Sequence, residues 1–102
     1  MPVNIKINTN HLELSPALEK HTMDKMSHVQ KVMNKITNIH VMLSIDKRNQ
    51  KAEAELHIAG DSKPIFAEAT SEDMYKSIDE LEHKLLRQVV KYNEILKGHR
   101  GE

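Results

Sequence analysis

Seven histidines are the residues best able to do chemistry in this 102-residue chain: His11, His21, His28, His40, His57, His83 and His99. None falls in an HxH or HExxH arrangement, so no recognised zinc spacing is present. His40 and His57 lie on the polar sides of two successive alternating segments, and Glu55 shares that side. Two imidazoles and one carboxylate would suit a metal, but an open strand face supplies no cavity and no outer hydrogen-bond partners. Solvated histidines are the stronger reading. The chain has no Cys, which excludes disulfides, thiol catalysis and Cys-ligated zinc. No serine sits in a GxSxG turn, and three scattered Gly cannot form a phosphate-binding loop. Glu53 and Glu55 are paired carboxylates on an exposed strand side, where no strong perturbation is expected. These residues predict no enzyme, no cofactor and no bound metal.

The charges carry more information. Fifteen Lys plus Arg balance fifteen Asp plus Glu, so the formal net charge is zero. The balance is local as well as global only in part. Residues 71–82 hold five acids and one Lys, whereas residues 83–100 hold Lys84, Arg87, Lys91, Lys97 and Arg100 against Glu94. Lys84, Arg87 and Lys91 recur at spacings of three and four and share one stripe of a helix. On an earlier helix, Lys20, Lys31 and Lys35 face outward, Lys25 lies at the edge of the apolar stripe, and His28 is nearby. Should the two helices be neighbours, their cationic edges would merge into one patch. A cationic helix end also complements the helix dipole and is commonly a solvated face. With only Tyr75, Tyr92 and Phe66 as aromatics, base stacking has few platforms. Nucleic-acid binding through this patch would be to phosphates and shape. Contact with about six phosphates would weaken affinity by on the order of 10³ between 50 and 200 mM salt.

These side chains need elements to hold them. Residues 3–7 alternate, with Val3, Ile5 and Ile7 inward, and read as a half-buried strand. Ser15 is a helix N-cap and Pro16 suits the first helical position. Leu18, Thr22, Met26, Val29, Met33 and Ile36 then mark the buried face of a helix of about five turns. Residues 38–46 alternate again, Lys47 to Lys51 read as a hairpin loop, and residues 52–59 form the next strand. After Gly60, Ile65, Ala67 and Ala69 give a further strand whose small side chains admit a helix closely. Ser71 caps the last helix, with Glu72 and Asp73 in its first turn. Met74, Ile78, Leu81, Leu85, Val89, Tyr92 and Leu96 are its buried face, and Gly98 is its stop. The order β-α-β-β-β-α predicts an α+β fold: a four-stranded sheet with both helices packed on one face. Residues 1–97 form the domain and 98–102 a short C-terminal tail.

At the last helix the residues become specific. Residues 72–92 read EDMYKSIDELEHKLLRQVVKY. This resembles the ribosome hibernation promoting factors, the sigma-54 modulation protein family that also contains ribosome-associated inhibitor A (protein Y). Asp73, Met74, Tyr75, Ile78, Asp79, Leu81, Lys84, Leu85, Arg87, Gln88 and Lys91 match the family pattern. Asn4-Ile5, Ala17-Leu18 and Lys25 match more weakly, and the resemblance covers roughly residues 1–97. The chain departs at Ile7, where the family often has Gly, and at His21, Val32 and Met33, where aromatics are usual.

The resemblance implies a protein that sits on the 30S ribosomal subunit and the 70S ribosome, in the channel for messenger RNA and transfer RNA. It would contact 16S rRNA through basic helical residues and silence translation in stationary phase or stress by steric exclusion. Carried over by position, the RNA-facing residues are Lys84, Arg87, Lys91 and then Lys25. Lys20, Lys31 and His28 are added from helix geometry. The short length resembles the branch that acts with ribosome modulation factor to pair 70S particles as 100S dimers. A cytoplasmic protein, monomeric off the ribosome and without a membrane partner, is expected. Two competing readings are a protein-interaction module using the open sheet face and a generic double-stranded RNA-binding domain. The latter ordinarily begins with its helix, whereas a strand comes first here.

Overall fold

The structure, a computed structural model, describes residues 4–101, with side chains described as far as Glu94. The elements run β1 (Asn4–Asn10), α1 (Pro16–Val32), β2 (Ile36–Asp46), β3 (Asn49–Ile58), β4 (Ile65–Ser71) and α2 (Met74–Gly101). This is the expected β-α-β-β-β-α order. The four strands form one sheet in the order β1-β2-β3-β4. β1 is parallel to β2, because α1 carries the chain back between them, while the other neighbours are antiparallel.

Both helices pack on one face of the sheet. Ile39, Val41 and Leu43 of β2, Ala52, Ala54, Leu56 and Ile58 of β3, and Ala67 and Ala69 of β4 are buried there. Ile5 and Ile7 of β1 are partly buried against the same core, and Val3 lies outside the described residues. The predicted helix stripes are buried: Leu18, Thr22, Met26 and Val29 from α1, and Met74, Ile78, Leu81, Leu85 and Val89 from α2. Tyr92 is partly buried, and the side chain of Leu96 lies outside the described residues. Thr22 enters the apolar face at no cost in unpaired hydroxyl, since its Oγ1 donates to the Leu18 carbonyl at 2.8 Å. Ala67 and Ala69 of β4 lie beneath α2, as their small size predicted, and Ala52 and Ala54 of β3 are buried on the same face.

Several boundaries differ from the sequence reading. α1 ends at Val32; Met33 is its C-cap, and Ile36 opens β2. Both are buried as expected, but Ile36 is on the sheet rather than the helix. The spacing of 29, 33 and 36 continues the helical period by coincidence, because core positions on either side of a short turn follow one another. Lys35 therefore sits in that turn, outside α1. The β2–β3 hairpin turns on Lys47 and Arg48 alone, closed by the pair Asp46↔Asn49, with Lys47 at φ 58°. The expected five-residue loop is thus mostly strand. The hairpin lies where the sequence places it, but its two-residue length is not legible, because neither residue is the Gly or Asn that relieves positive φ.

The start and end of α2 also move. Asp73, not Ser71, is the N-cap: its Oδ1 accepts from the Tyr75 amide at 3.0 Å, and its carbonyl accepts from the Ser77 amide at 2.9 Å. Ser71 is the last residue of β4, and its hydroxyl oxygen accepts from the Asp73 amide at 3.2 Å. Glu72 precedes the helix, so no acid lies in its first turn. Gly98 does not stop α2, whose backbone remains helical to Gly101. Glycine lowers helix stability by about 1 kcal/mol relative to Ala without forbidding the conformation.

Candidate nucleic-acid interface

α2 presents its surface in three strips. One faces α1, one faces solvent, and one overhangs the free edge of β4. The residues nominated from sequence are divided among these strips.

Lys84, Arg87 and Lys91 are all exposed, as their offset from the apolar stripe requires. Lys84 Nζ donates to the Glu68 carbonyl at 2.8 Å, and Gln88 Nε2 donates to the Phe66 carbonyl at 2.7 Å. Both acceptors belong to β4, an outer strand of the sheet. Two side chains of α2 thereby occupy carbonyls that an incoming strand would need. An ammonium has three donor hydrogens and a carbonyl removes none of its charge. Lys84 therefore remains a cation after making this contact. Arg87 and Lys91 stand further round the helix beside Val90, which is 47% exposed, and with Leu86, His83 and Glu94 they line one shallow groove. Among the described residues, neither forms a side-chain hydrogen bond or ion pair.

The cations of α1 are placed differently. Lys25 Nζ lies 3.7 Å from Asp79 Oδ1 and 3.7 Å from Glu82 Oε1, in the seam where α1 meets α2. His28 Nδ1 is 3.0 Å from Glu82 Oε2, and His21 Nε2 is 2.8 Å from Asp79 Oδ1. Glu82 is 6% exposed, so α1 supplies the partners that its buried carboxylate requires. The His21 ring also packs edge-on against Tyr75, with centroids 5.0 Å apart. Lys20 pairs with Asp24 one turn along its own helix, at 3.0 Å. Lys31 is exposed and lines the same shallow depression as His21, Asp24, Lys25, Ser27 and His28.

The cationic edges of the two helices therefore do not merge directly. Lys84 reaches the β4 flank of α2, whereas Lys25 and His28 lie at the α1 flank, between carboxylates. Charge counting missed the seam because it treated residues 71–82 as one acidic block. Helical spacing resolves that block: Asp79 and Glu82, three apart, border the buried face, and only there does a neighbouring helix meet them.

The opposite sheet face carries the solvated set expected of it. His40 Nε2 lies 3.1 Å from Asn8 Nδ2, and His57 Nε2 lies 3.0 Å from Glu55 Oε1. His40 is opposite Glu55, and His57 opposite Asn38, so the two imidazoles occupy different registers. Among the described residues, no three His, Asp or Glu side chains are grouped so as to hold a metal ion. Among the same residues, no helix is long and apolar enough to cross a membrane.

A mixed four-stranded sheet backed by two helices, with a basic strip on the second, defines a class of small α+β proteins. The particular family follows from comparison with known proteins. Residues 5–97 match the family described as sigma 54 modulation protein / S30EA ribosomal protein. The chain is 37% identical over 92 residues to a ribosome hibernation promoting factor of Pseudomonas putida, covering 90% of this chain and 88% of that one. It is 32% identical over 97 residues to the Escherichia coli protein of the same name, covering 95% and 100%. A solved structure titled a ribosomal subunit interface protein from Coxiella burnetii superposes with a TM-score of 0.83 at 35% identity, covering 90% of this chain and 99% of that chain. The chain belongs to the sigma 54 modulation protein / S30EA ribosomal protein family.

Proposed function

We propose that this protein is a ribosome-binding translation inhibitor of the hibernation type. It occupies the small-subunit channel used by messenger RNA and transfer RNA and excludes both. No bond is made or broken in this mechanism; occupancy alone silences the particle. The observation that carries the reading is the exposed Lys84–Arg87–Lys91 strip, formed by the residues of the family motif, on a chain whose relatives are named ribosome hibernation promoting factors. Arg87 and Lys91 offer charge to 16S rRNA phosphates, Lys84 does so while holding the sheet edge, and Lys31 extends the contact from α1. Lys20, Lys25 and His28 are next to the same surface but are paired with carboxylates. The protein acts in the cytoplasm, as a monomer off the ribosome. With ribosome modulation factor it pairs silenced 70S particles as 100S dimers.

Sedimentation of purified bacterial ribosomes through sucrose, with and without ribosome modulation factor, tests this directly. The protein should travel with 30S and 70S particles, and a 100S peak should require both factors. Protein left at the top of the gradient would overturn the reading, and the open sheet face would become the leading interaction surface.

A further inference from the structure

We propose that the α1–α2 seam is a proton-operated control on RNA affinity: protonation of His21 and His28 reverses the local charge and tightens binding to phosphates. The inference rests on the RNA-binding reading above and adds a regulation to it.

With neutral imidazoles, the seam holds Lys25 against Asp79 and Glu82 and carries one excess negative charge. Protonating both histidines turns that into one excess positive charge. The change requires no rearrangement. A neutral imidazole already donates one N–H, and the 2.8 Å and 3.0 Å contacts to Asp79 and Glu82 survive when the second nitrogen gains a proton. Protonation strengthens both contacts, because a bond from a neutral N–H to a carboxylate becomes an ion pair. The seam is therefore a charge control rather than a hinge.

The surroundings favour this use. Histidine is the side chain that ordinarily changes charge between about pH 5 and 8. Both rings reach solvent, with side chains 26% and 57% exposed, so protons enter freely. From α1 the neighbouring charges are the Lys20–Asp24 pair, Lys25 and Lys31. From α2 they are Asp79 and Glu82, with the Tyr75 phenol against His21. β1, packed beneath α1, turns Ile5, Ile7 and Thr9 toward the helices, and none of these titrates. His83 follows Glu82 in sequence but lines the groove with Leu86 and Val90 instead. Lys31 lies in the same depression as both imidazoles, so the added charge appears beside a cation already open to RNA.

The test is binding of the full chain to purified 30S subunits at pH 6.0 and 7.8, each over a salt series. The comparison protein is the double variant His21→Gln, His28→Asn. Its amides stand where Nε2 and Nδ1 donate, but they do not take up a proton. The wild type should bind more tightly at pH 6.0, by roughly fivefold, because the seam then carries one excess positive charge beside Lys31, with a salt slope steeper by about one. The double variant should show a smaller difference between the two pH values, with the His83 groove common to both proteins. Equal pH dependence in the two proteins overturns the control while leaving the RNA-binding reading intact. Absence of wild-type binding at either pH overturns both. Should the double variant fail to fold, His28→Asn alone, at the more exposed ring, carries the same comparison with about half the effect on the salt slope.

Discussion

Arg87 is the residue at which charge can be tested without disturbing structure. It is exposed and makes no side-chain hydrogen bond or ion pair among the described residues. Arg87→Glu should leave the thermal midpoint within about 2 °C of wild type, as expected for a surface substitution. The same change should weaken ribosome binding by tenfold or more, about two charges' worth of phosphate attraction. Retained binding would remove this position from the interface. Lys84 behaves differently, because it serves two purposes. Lys84→Met removes both the cation and the hydrogen bond to the Glu68 carbonyl. It should cost up to about 1 kcal/mol in urea unfolding as well as affinity. A combined Lys84→Glu, Arg87→Glu variant therefore mixes a stability effect with a binding effect, and the single Arg87 change is the cleaner measurement. Spacing identified Lys84 as outward-facing. It did not show that the overhanging ammonium meets β4, because helical period fixes a direction on the cylinder and not the neighbour that occupies it.

At the scale of elements, alternation and helical period were strong signals wherever one face is buried. The stripe of Ile78, Leu81, Leu85 and Val89 is fully buried as read from spacing. Leu85→Ala should accordingly cost about 2–5 kcal/mol in urea unfolding, with the midpoint lowered and the slope kept; a smaller loss would mean that the helix repacks. The boundaries were less legible where the deciding interaction lies far along the chain. Ser71 has the residue type of an N-cap, but its hydroxyl meets that of Ser77 at 2.7 Å, and Ser77 in turn donates to the Gln50 carbonyl at 2.6 Å. This chain of bonds ties the β3 start to α2, and Asp73 takes the cap. A second tie joins the β3–β4 turn to the same helix: the Tyr92 hydroxyl donates to Asp61 Oδ2 at 2.8 Å. The Lys63 amide, and then this hydroxyl, hold the Asp61 carboxyl below its ordinary value. The same bond to the carboxylate pushes the Tyr92 phenol above 10. The signs are opposite. Asp61 contributes stability that is present above its unfolded value and lost as pH falls through its lowered folded value. Tyr92 contributes stability that is present below its unfolded value and lost as pH rises through its raised one. In Tyr75→Phe, which leaves Tyr92 as the only phenol, the ultraviolet titration should have its midpoint above 10.0. Asp61→Asn should bring it back toward that value, and an unmoved midpoint would show that the tie is absent in solution.

For the molecule as a whole, zero net charge makes the distribution of charge decisive. A neutral protein gains little long-range attraction to RNA, so binding must come from cations held at the contact. Seven nominated residues would suggest six or seven phosphate contacts. The fold divides them. Lys20, Lys25 and His28 are beside carboxylates and release few counterions at neutral pH. Lys31, Lys84, Arg87 and Lys91 remain, which is about four contacts. The logarithm of affinity should then fall with the logarithm of salt at a slope of about −3 to −4. Between 50 and 200 mM salt the loss should be on the order of 10², rather than the 10³ expected from residue types alone. Dissociation constants for 30S subunits at 50, 100 and 200 mM salt and neutral pH distinguish the two. A slope beyond −5 would mean that the seam opens on the ribosome and frees its cations from Asp79 and Glu82. A slope near zero would mean that phosphate contact does not hold the protein in place, and that apolar surface such as Val90 and Phe66, 47% and 49% exposed, must do so instead.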